Sequence, residues 1–196
     1  MTTSACLALV AWIASLRVVY VILGFFRQAL RTRRTVTTQW GCAETFEAPE
    51  PLVMGIATYL VYFGSGAPGP NAIPALALLG AALAAAGALI TVWVMMTIPS
   101  LSTGHYVLPG QGVVARGPYA WVRHPGYLAV FLIWFGLASA FASLPVLVVT
   151  LLYVVPAYWL YVRSEERMML KEFGEPYRLY REATGMFFPR LERSRG

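Results

Sequence analysis

The chain has 196 residues, of which 58% are hydrophobic, 14% aromatic and 12% charged, with a formal charge of +6 and a mean hydropathy of +0.62. That apolar content exceeds what a soluble domain of this length buries, so the composition points to a membrane protein. The basic balance does not indicate nucleic acid, because no basic stripe with interleaved aromatics stands apart from the apolar runs.

A bilayer-spanning helix needs about 20 apolar residues. Residues 5–26 supply them, interrupted by Arg17. No positive charge precedes this run in "MTTSACLALVAW", which argues against a cleaved signal peptide and for a first span with its N-terminus outside. The basic stretch "RQALRTRRT" follows, then a polar segment with Glu44, Glu47 and Glu50. A short apolar run extends from Leu52 to Gly64, and the uncharged turn "GSGAPGPN" comes after it. The clearest span runs from Ile73 to Ile98, where Gly80, Ala84 and Gly87 form the small-residue face that close helix packing in a bilayer favours. Beyond a polar segment, Tyr127 to Phe141 and Leu144 to Val162 are separated by "ASLP". So short a turn predicts a tight helical hairpin, with Pro145 at the start of its second helix and Pro156 kinking it. From Arg163 the chain is polar, with Met169, Phe173, Tyr177 and Tyr180 at three- and four-residue steps. That spacing predicts a helix on the membrane surface or packed on the bundle.

The expected fold is an all-α polytopic membrane protein with about five transmembrane helices, N-terminus outside and C-terminus cytoplasmic. Residues 1–98 hold three spans; residues 99–196 hold a loop, a helical hairpin and a C-terminal cytoplasmic helix. Charge agrees with this layout: every Lys and Arg except Arg17 falls in 27–50, 99–125 or 163–196, the segments assigned to the cytoplasmic side. The single lysine beside abundant arginine points to GC-rich coding and a bacterial inner membrane. Cys6 and Cys42 have no C-x-x-C spacing, so neither a disulfide frame nor a metal site is indicated. No two halves repeat each other, which speaks against a transporter built on inverted repeats. Arg17, an intramembrane charge, is open between a substrate role and snorkelling to the interface.

Two polar stretches carry the chemistry. "GHYVLPGQGVVARGPYAWVRHPGY" enters a membrane helix, with Pro125 at a plausible first helical position. "RSEERMMLKEFGEPYRLY" leaves one. Taken singly, the first reads as an interfacial anchor and the second as a solvated helix start with local ion pairs. Both face the same aqueous side, so a hairpin brings them together.

In combination, G-x-Y, R-H-P-x-Y and R-x-E-E leading to F-G-x-x-Y resemble the integral-membrane methyltransferases of the isoprenylcysteine carboxyl methyltransferase family, related to the phospholipid methyltransferases. The likeness covers residues 100–189. It implies S-adenosylmethionine in a cytoplasm-facing pocket, with Tyr119, Arg123, His124 and Tyr127 from the first motif and Glu166 and Tyr177 from the second as cofactor-binding residues. His105 and Leu108 are weaker candidates for the adenosine wall. Arg or protonated His suits the cofactor's carboxylate, a glutamate such as Glu166 its ammonium, and an aromatic face such as Tyr119 or Tyr127 its sulfonium.

Methyl transfer is an in-line displacement, so positioning dominates. Arg163 is the candidate to orient a carboxylate acceptor, and Glu165 the candidate base for a phenol or amine. The acceptor is expected to be lipophilic and to arrive from the bilayer. Ala129 stands where many members have Gly, and Leu144–Pro145 where the eukaryotic carboxyl methyltransferases have Asn-Pro, which loosens prenylcysteine specificity more than methyl transfer. The rival expectations are a reductase binding NADPH, since the C-terminal part of membrane sterol reductases resembles this family, and a small transporter or non-catalytic membrane partner. Oligomeric state is open.

Overall fold

The computed structural model describes residues 2–31, 37–38, 42–64, 73–98, 106–107, 110 and 112–190. In chain order these form α1 (Thr3–Arg31), β1 (Thr37–Thr38), α2 (Cys42–Glu47), α3 (Glu50–Phe63), α4 (Pro74–Thr97), β2 (Tyr106–Val107), a 3-10 turn (Gly117–Ala120), α5 (Pro125–Ala140), α6 (Leu144–Val149), a π-helical stretch (Thr150–Val154), α7 (Val155–Phe173) and α8 (Glu175–Ala183). Among the described residues the architecture is mainly helical, and an antiparallel ladder, Thr37–Val107 and Thr38–Tyr106, ties the segment after α1 to the segment after α4.

Proline marks the helix starts. It stands in the first turn of α3, α4, α5, α6 and α8, where its missing N–H has no intrahelical role and its fixed φ suits the helix. Ser143 adds a side-chain cap to α6, accepting from the Val146 N–H. The hairpin between α5 and α6 closes as its short turn requires, with Ala142 in the left-handed region at φ 46° and Ser143 N–H donating to the Ala138 carbonyl.

Thr3–Gly24, Pro74–Thr97 and the continuous run Leu144–Phe173 are long and apolar enough to cross a membrane. At 14 and 16 residues, α3 and α5 fall short of the roughly 20 that a full crossing needs. Of the five spans expected, three correspond to helices long and apolar enough to cross among the described residues.

Of the two short helices, α5 is the more enclosed. Along α5, Val130, Ile133, Trp134, Leu137, Ala138 and Ala140 are buried, and they share one core with Leu7, Val10 and Ala14 of α1, Met54 of α3, Ala77, Ala81 and Ala84 of α4, and Val154 and Tyr158 of the last long helix. The core thus runs across the division at residue 98. On the opposite faces Trp12, Ile56, Leu89, Met96 and Leu152 are exposed, more apolar surface than a water-soluble monomer carries.

In lipid, helices associate through close packing rather than through expulsion of water, which favours small residues at the contact. The α4–α5 seam is built this way. A Cβ placed on Gly80 would stand 2.5 Å from the Gly136 carbonyl oxygen and the Ala140 nitrogen, and one on Gly87 would stand 2.7 Å from the Ala129 carbonyl.

One expectation is corrected. The last long helix does not end at Val162: α7 continues to Phe173, so the polar periodic tail is the end of that helix plus α8. Gly174, at φ 57° and ψ −124°, separates them because a side chain there would be strained. Pro156 is preceded by the π-helical stretch, in which Val155 N–H reaches back to the Thr150 carbonyl. Such a bulge adds about one residue to a turn and rotates everything after it by roughly 100°.

Gly80→Val forces a branched side chain into the α4–α5 seam, and overpacking of this kind costs about 1–3 kcal/mol. We expect a lower thermal midpoint in detergent for Gly80→Val, and a midpoint close to that of the unaltered protein for Leu89→Val on the exposed face.

Candidate active site

Arg123 and His124 sit between the 3-10 turn and α5, and the chain after α8 lies along them as a strap. Arg123 N–H donates to the Gly185 carbonyl at 2.8 Å, and His124 N–H to the Met186 carbonyl at 3.1 Å. Val122 pairs with Gly185 in parallel. The Tyr180 hydroxyl of α8 donates to the Tyr119 carbonyl at 2.8 Å. Both backbones thus find partners in each other, as buried peptide groups must.

Side chains complete the junction. Arg123 Nε donates to Glu166 Oε1 at 2.7 Å, and its Nη1 donates to the carbonyls of Arg181, at 3.0 Å, and Thr184. One guanidinium therefore joins α7, α8 and the strap, as its fork of donors permits. His124 lies between two carboxylates, with Nε2 3.2 Å from Glu166 Oε1 and Nδ1 3.3 Å from Glu165 Oε2. Both ring nitrogens donate only in the imidazolium. Burial opposes that charge, but bonds to Glu165 and Glu166 and their negative field outweigh it, so the His124 pKa is raised above the ordinary 6.5.

Aromatic rings line this cluster. Tyr127 stacks on His124, centroids 5.7 Å apart at 17°. Tyr161 meets Tyr127 edge-on at 5.7 Å, and Phe187 of the strap lies 6.2 Å from His124. Burial first, and then the nearby carboxylates, push the phenols of Tyr119 and Tyr177 above their usual range, which keeps both protonated.

The structure thus gathers Tyr119, Arg123, His124, Tyr127, Glu165, Glu166 and Tyr177 around one junction. It does not bring Arg163 there: that side chain is exposed, its guanidinium 3.9 Å over the Trp159 ring. His105 and Leu108 lie outside the described residues. The open groove between α1 and α3, lined by Trp12, Ser15, Gly55, Thr58, Tyr59 and Tyr62 among others, shares no residue with the cluster.

Several participants escape a reading of the sequence. Tyr161 and Phe187 lie outside the two motifs, and the carbonyls of Arg181, Thr184, Gly185 and Met186 carry no side-chain signal. Arg17 does not snorkel: Nη2 bonds Glu50 Oε2 and the Tyr158 hydroxyl, both at 2.9 Å. Glu50, assigned by sequence to a polar connecting segment, is the first residue of α3 and wholly buried. Its one advance signal is Arg17, a buried charge that needs an opposite one.

S-adenosylmethionine is the cofactor that the motifs imply, and the donor set fits it. Arg123 and His124 against Glu165 and Glu166 are two cations beside two carboxylates, which a zwitterionic amino-acid end complements. The ring faces around them suit a sulfonium.

Arg123→Met leaves Glu166 short of a cation and releases one carbonyl of α8 and one of the strap. Breaking a buried pair from one side costs about 3–5 kcal/mol. We expect a lower thermal midpoint and faster chymotrypsin cleavage at Phe187 and Phe188 than in the unaltered protein. A raised His124 pKa contributes stability that is complete below about 6.5 and is lost as pH rises through the folded value. The midpoint difference between the unaltered protein and His124→Gln should therefore be largest near about pH 5.5 and shrink toward pH 8.5; a constant difference would show that the ring bonds in its neutral form.

The sequence profile of the phospholipid methyltransferase family matches residues 76–176. An uncharacterized protein of Schizosaccharomyces pombe is 39% identical over 90 residues, which cover 43% of this chain and 26% of that protein. The cobalt-zinc-cadmium resistance protein CzcN of Cupriavidus metallidurans is 37% identical over 84 residues, covering 43% of this chain and 38% of that protein. The chain therefore spans well under half the length of these curated relatives. The profile takes in α4, the 3-10 turn, the Arg123–His124 loop, α5 and the Glu165–Glu166 helix, and with that geometry the chain belongs to the phospholipid methyltransferase family, the membrane methyltransferases that include the isoprenylcysteine carboxyl methyltransferases.

Proposed function

We propose that the protein transfers a methyl group from S-adenosylmethionine to the polar end of a lipophilic acceptor within the membrane. The observation that carries this reading is the enclosed Arg123–His124–Glu165–Glu166 cluster, walled by tyrosines and set against apolar helices. A polar junction suits a charged cofactor, and the apolar helices beside it suit an acceptor held in lipid.

The proposed topology has five crossings, with α3 and α5 as short members, the N-terminus outside and the arginine-rich segments cytoplasmic. The ladder between the segments after α1 and after α4 supports this topology, in which both lie on one side. The arginine-rich, lysine-poor composition favours a bacterial inner membrane.

When bound, S-adenosylmethionine supplies an electrophilic methyl on a sulfonium. The residues of this chain position and balance charge around it. Arg123 and His124 present donors toward a carboxylate, and Glu166 presents an acceptor toward an ammonium. Tyr127 and Tyr119 offer ring faces to a positive centre. Tyr177 closes the α8 side. A carboxylate acceptor is already nucleophilic and needs only orientation. A phenol or amine must lose a proton, which Glu165 is placed to take. Isoprenoid or fatty carboxylates, phenolic or quinone-like lipids and amine head groups are the acceptor classes.

Calorimetric titration of S-adenosylmethionine and, separately, NADPH into detergent-purified protein tests this reading. Saturable binding of S-adenosylmethionine is expected, weakened about tenfold or more in His124→Ala and Glu166→Ala, since each removes a charged partner. Arg163→Ala should bind S-adenosylmethionine like the unaltered protein and retain labelled methyl transfer, because its side chain faces away from the junction. Binding of NADPH alone would point to a reductase, and binding of neither to a non-catalytic membrane protein.

A further inference from the structure

A second polar cluster lies among the helices, apart from the Arg123–His124 junction. Arg17 of α1 and Glu50 of α3 form an ion pair at 2.9 Å, with side chains 8% and 0% exposed. Trp134 Nε1 of α5 donates to Glu50 Oε1 at 2.6 Å. The Tyr158 hydroxyl of α7 accepts from Arg17 Nη2 at 2.9 Å and stands 3.0 Å from Glu50 Oε2 and 3.2 Å from Glu47 Oε1, so its one proton has two carboxylates to choose between. A buried ion pair adds little net stability over apolar residues of the same volume. What this one does is pin a phenol.

The ring of that phenol faces the proposed cofactor site. Tyr158 is 1% exposed, and its ring lies 5.3 Å from Tyr127 and 5.8 Å from Phe131. Tyr127 stacks on His124, and Phe131 packs on Phe187 of the strap at 5.3 Å. Two steps of ring packing therefore connect the Arg17–Glu50 pair to the imidazole between Glu165 and Glu166. A phenylalanine at 158 would fill the same space; the hydroxyl is the atom that fixes the ring's height and angle.

We propose that Arg17 and Glu50 are positioning residues: by holding the Tyr158 hydroxyl they set the Tyr127 ring against His124, and with it the aromatic wall of the cofactor site. The effect on cofactor affinity rests on the methyltransferase reading above, whereas the effect on the His124 ring does not.

Two readouts on the full-length protein in detergent separate these. The sequence contains two histidines, so carbon-13 histidine labelling yields two imidazole signals, and His124→Gln identifies one. Tyr158→Phe and the double variant Arg17→Met/Glu50→Leu are each expected to move the His124 signal in the direction that Tyr127→Leu moves it. Both should weaken S-adenosylmethionine binding about three- to thirtyfold, the range of coupling through packed side chains. The triple variant should be no weaker than the double one, because the hydroxyl and the pair act through one ring, and Arg17→Lys should retain most of the affinity.

An unmoved His124 signal with unchanged affinity in folded Tyr158→Phe overturns the proposal, as do losses that add in the triple variant. If the double variant does not fold, Tyr158→Phe decides alone, since it keeps the ring and its volume. If the unaltered protein binds no S-adenosylmethionine while the His124 signal still moves, the positioning stands and the cofactor reading fails. If it binds S-adenosylmethionine and neither readout moves in Tyr158→Phe, the cofactor reading stands and the positioning fails.

Discussion

Glu166 receives both Arg123 Nε and His124 Nε2 on one carboxylate oxygen, and three parts of the chain meet because of it. The loop before α5 brings the cations, α7 brings the carboxylate, and the strap after α8 is held by the same guanidinium. Among apolar helices a charge is tolerated only when its partners are close and its remaining hydrogen-bonding capacity is used. That requirement orders the loop and the strap, neither of which has a regular element of its own at that point.

The Arg17–Glu50 pair places a second set of charges deeper in the fold, with Arg17 Nη2 paired and Arg17 Nε left without a hydrogen-bond partner among the described residues. It joins α1 to α3 directly, and through Trp134 and Tyr158 it reaches α5 and α7. Between the two polar clusters stands a layer of rings, Tyr127, Phe131, Tyr158 and Tyr161. Rings suit that place because they pack against apolar helices on one side and carry a hydroxyl or a polarisable face toward charge on the other. Helix α5 supports the arrangement by being short and enclosed. It begins at the loop that carries His124 and is clamped by the glycine seam to α4, so the position of the loop is tied to the best-packed pair of helices in the molecule.

The membrane character and the chemistry are linked through α7. Its first half belongs to an apolar run long enough to cross a bilayer, and its second half carries Glu165 and Glu166. Because one helix does both, the carboxylates sit at a fixed depth relative to lipid. The π-helical stretch ahead of Pro156 sets the rotation of that helix, and the rotation decides that Tyr158, Tyr161, Glu165 and Glu166 face the junction while Trp159 and Arg163 face outward.

Much of this was legible in the chain. Hydropathy located the apolar helices, and the prolines located their starts, because both signals depend on a residue's own chemistry and its nearest neighbours. The two motifs named most of the residues at the junction for the same reason: they cluster locally at the ends of α5 and α7. What the sequence by itself determined was therefore the all-helical class, the small-residue face of α4 and the residue types of the site. Tertiary structure alone decided the partners: Arg17 with Glu50 and Tyr158, 33 and 141 residues away, the strap carbonyls on Arg123, and the exclusion of Arg163. Those outcomes depend on helix lengths, on one extra residue in a π turn and on how rings from three helices interlock, and no local pattern encodes a distance between residues that meet only when the helices pack.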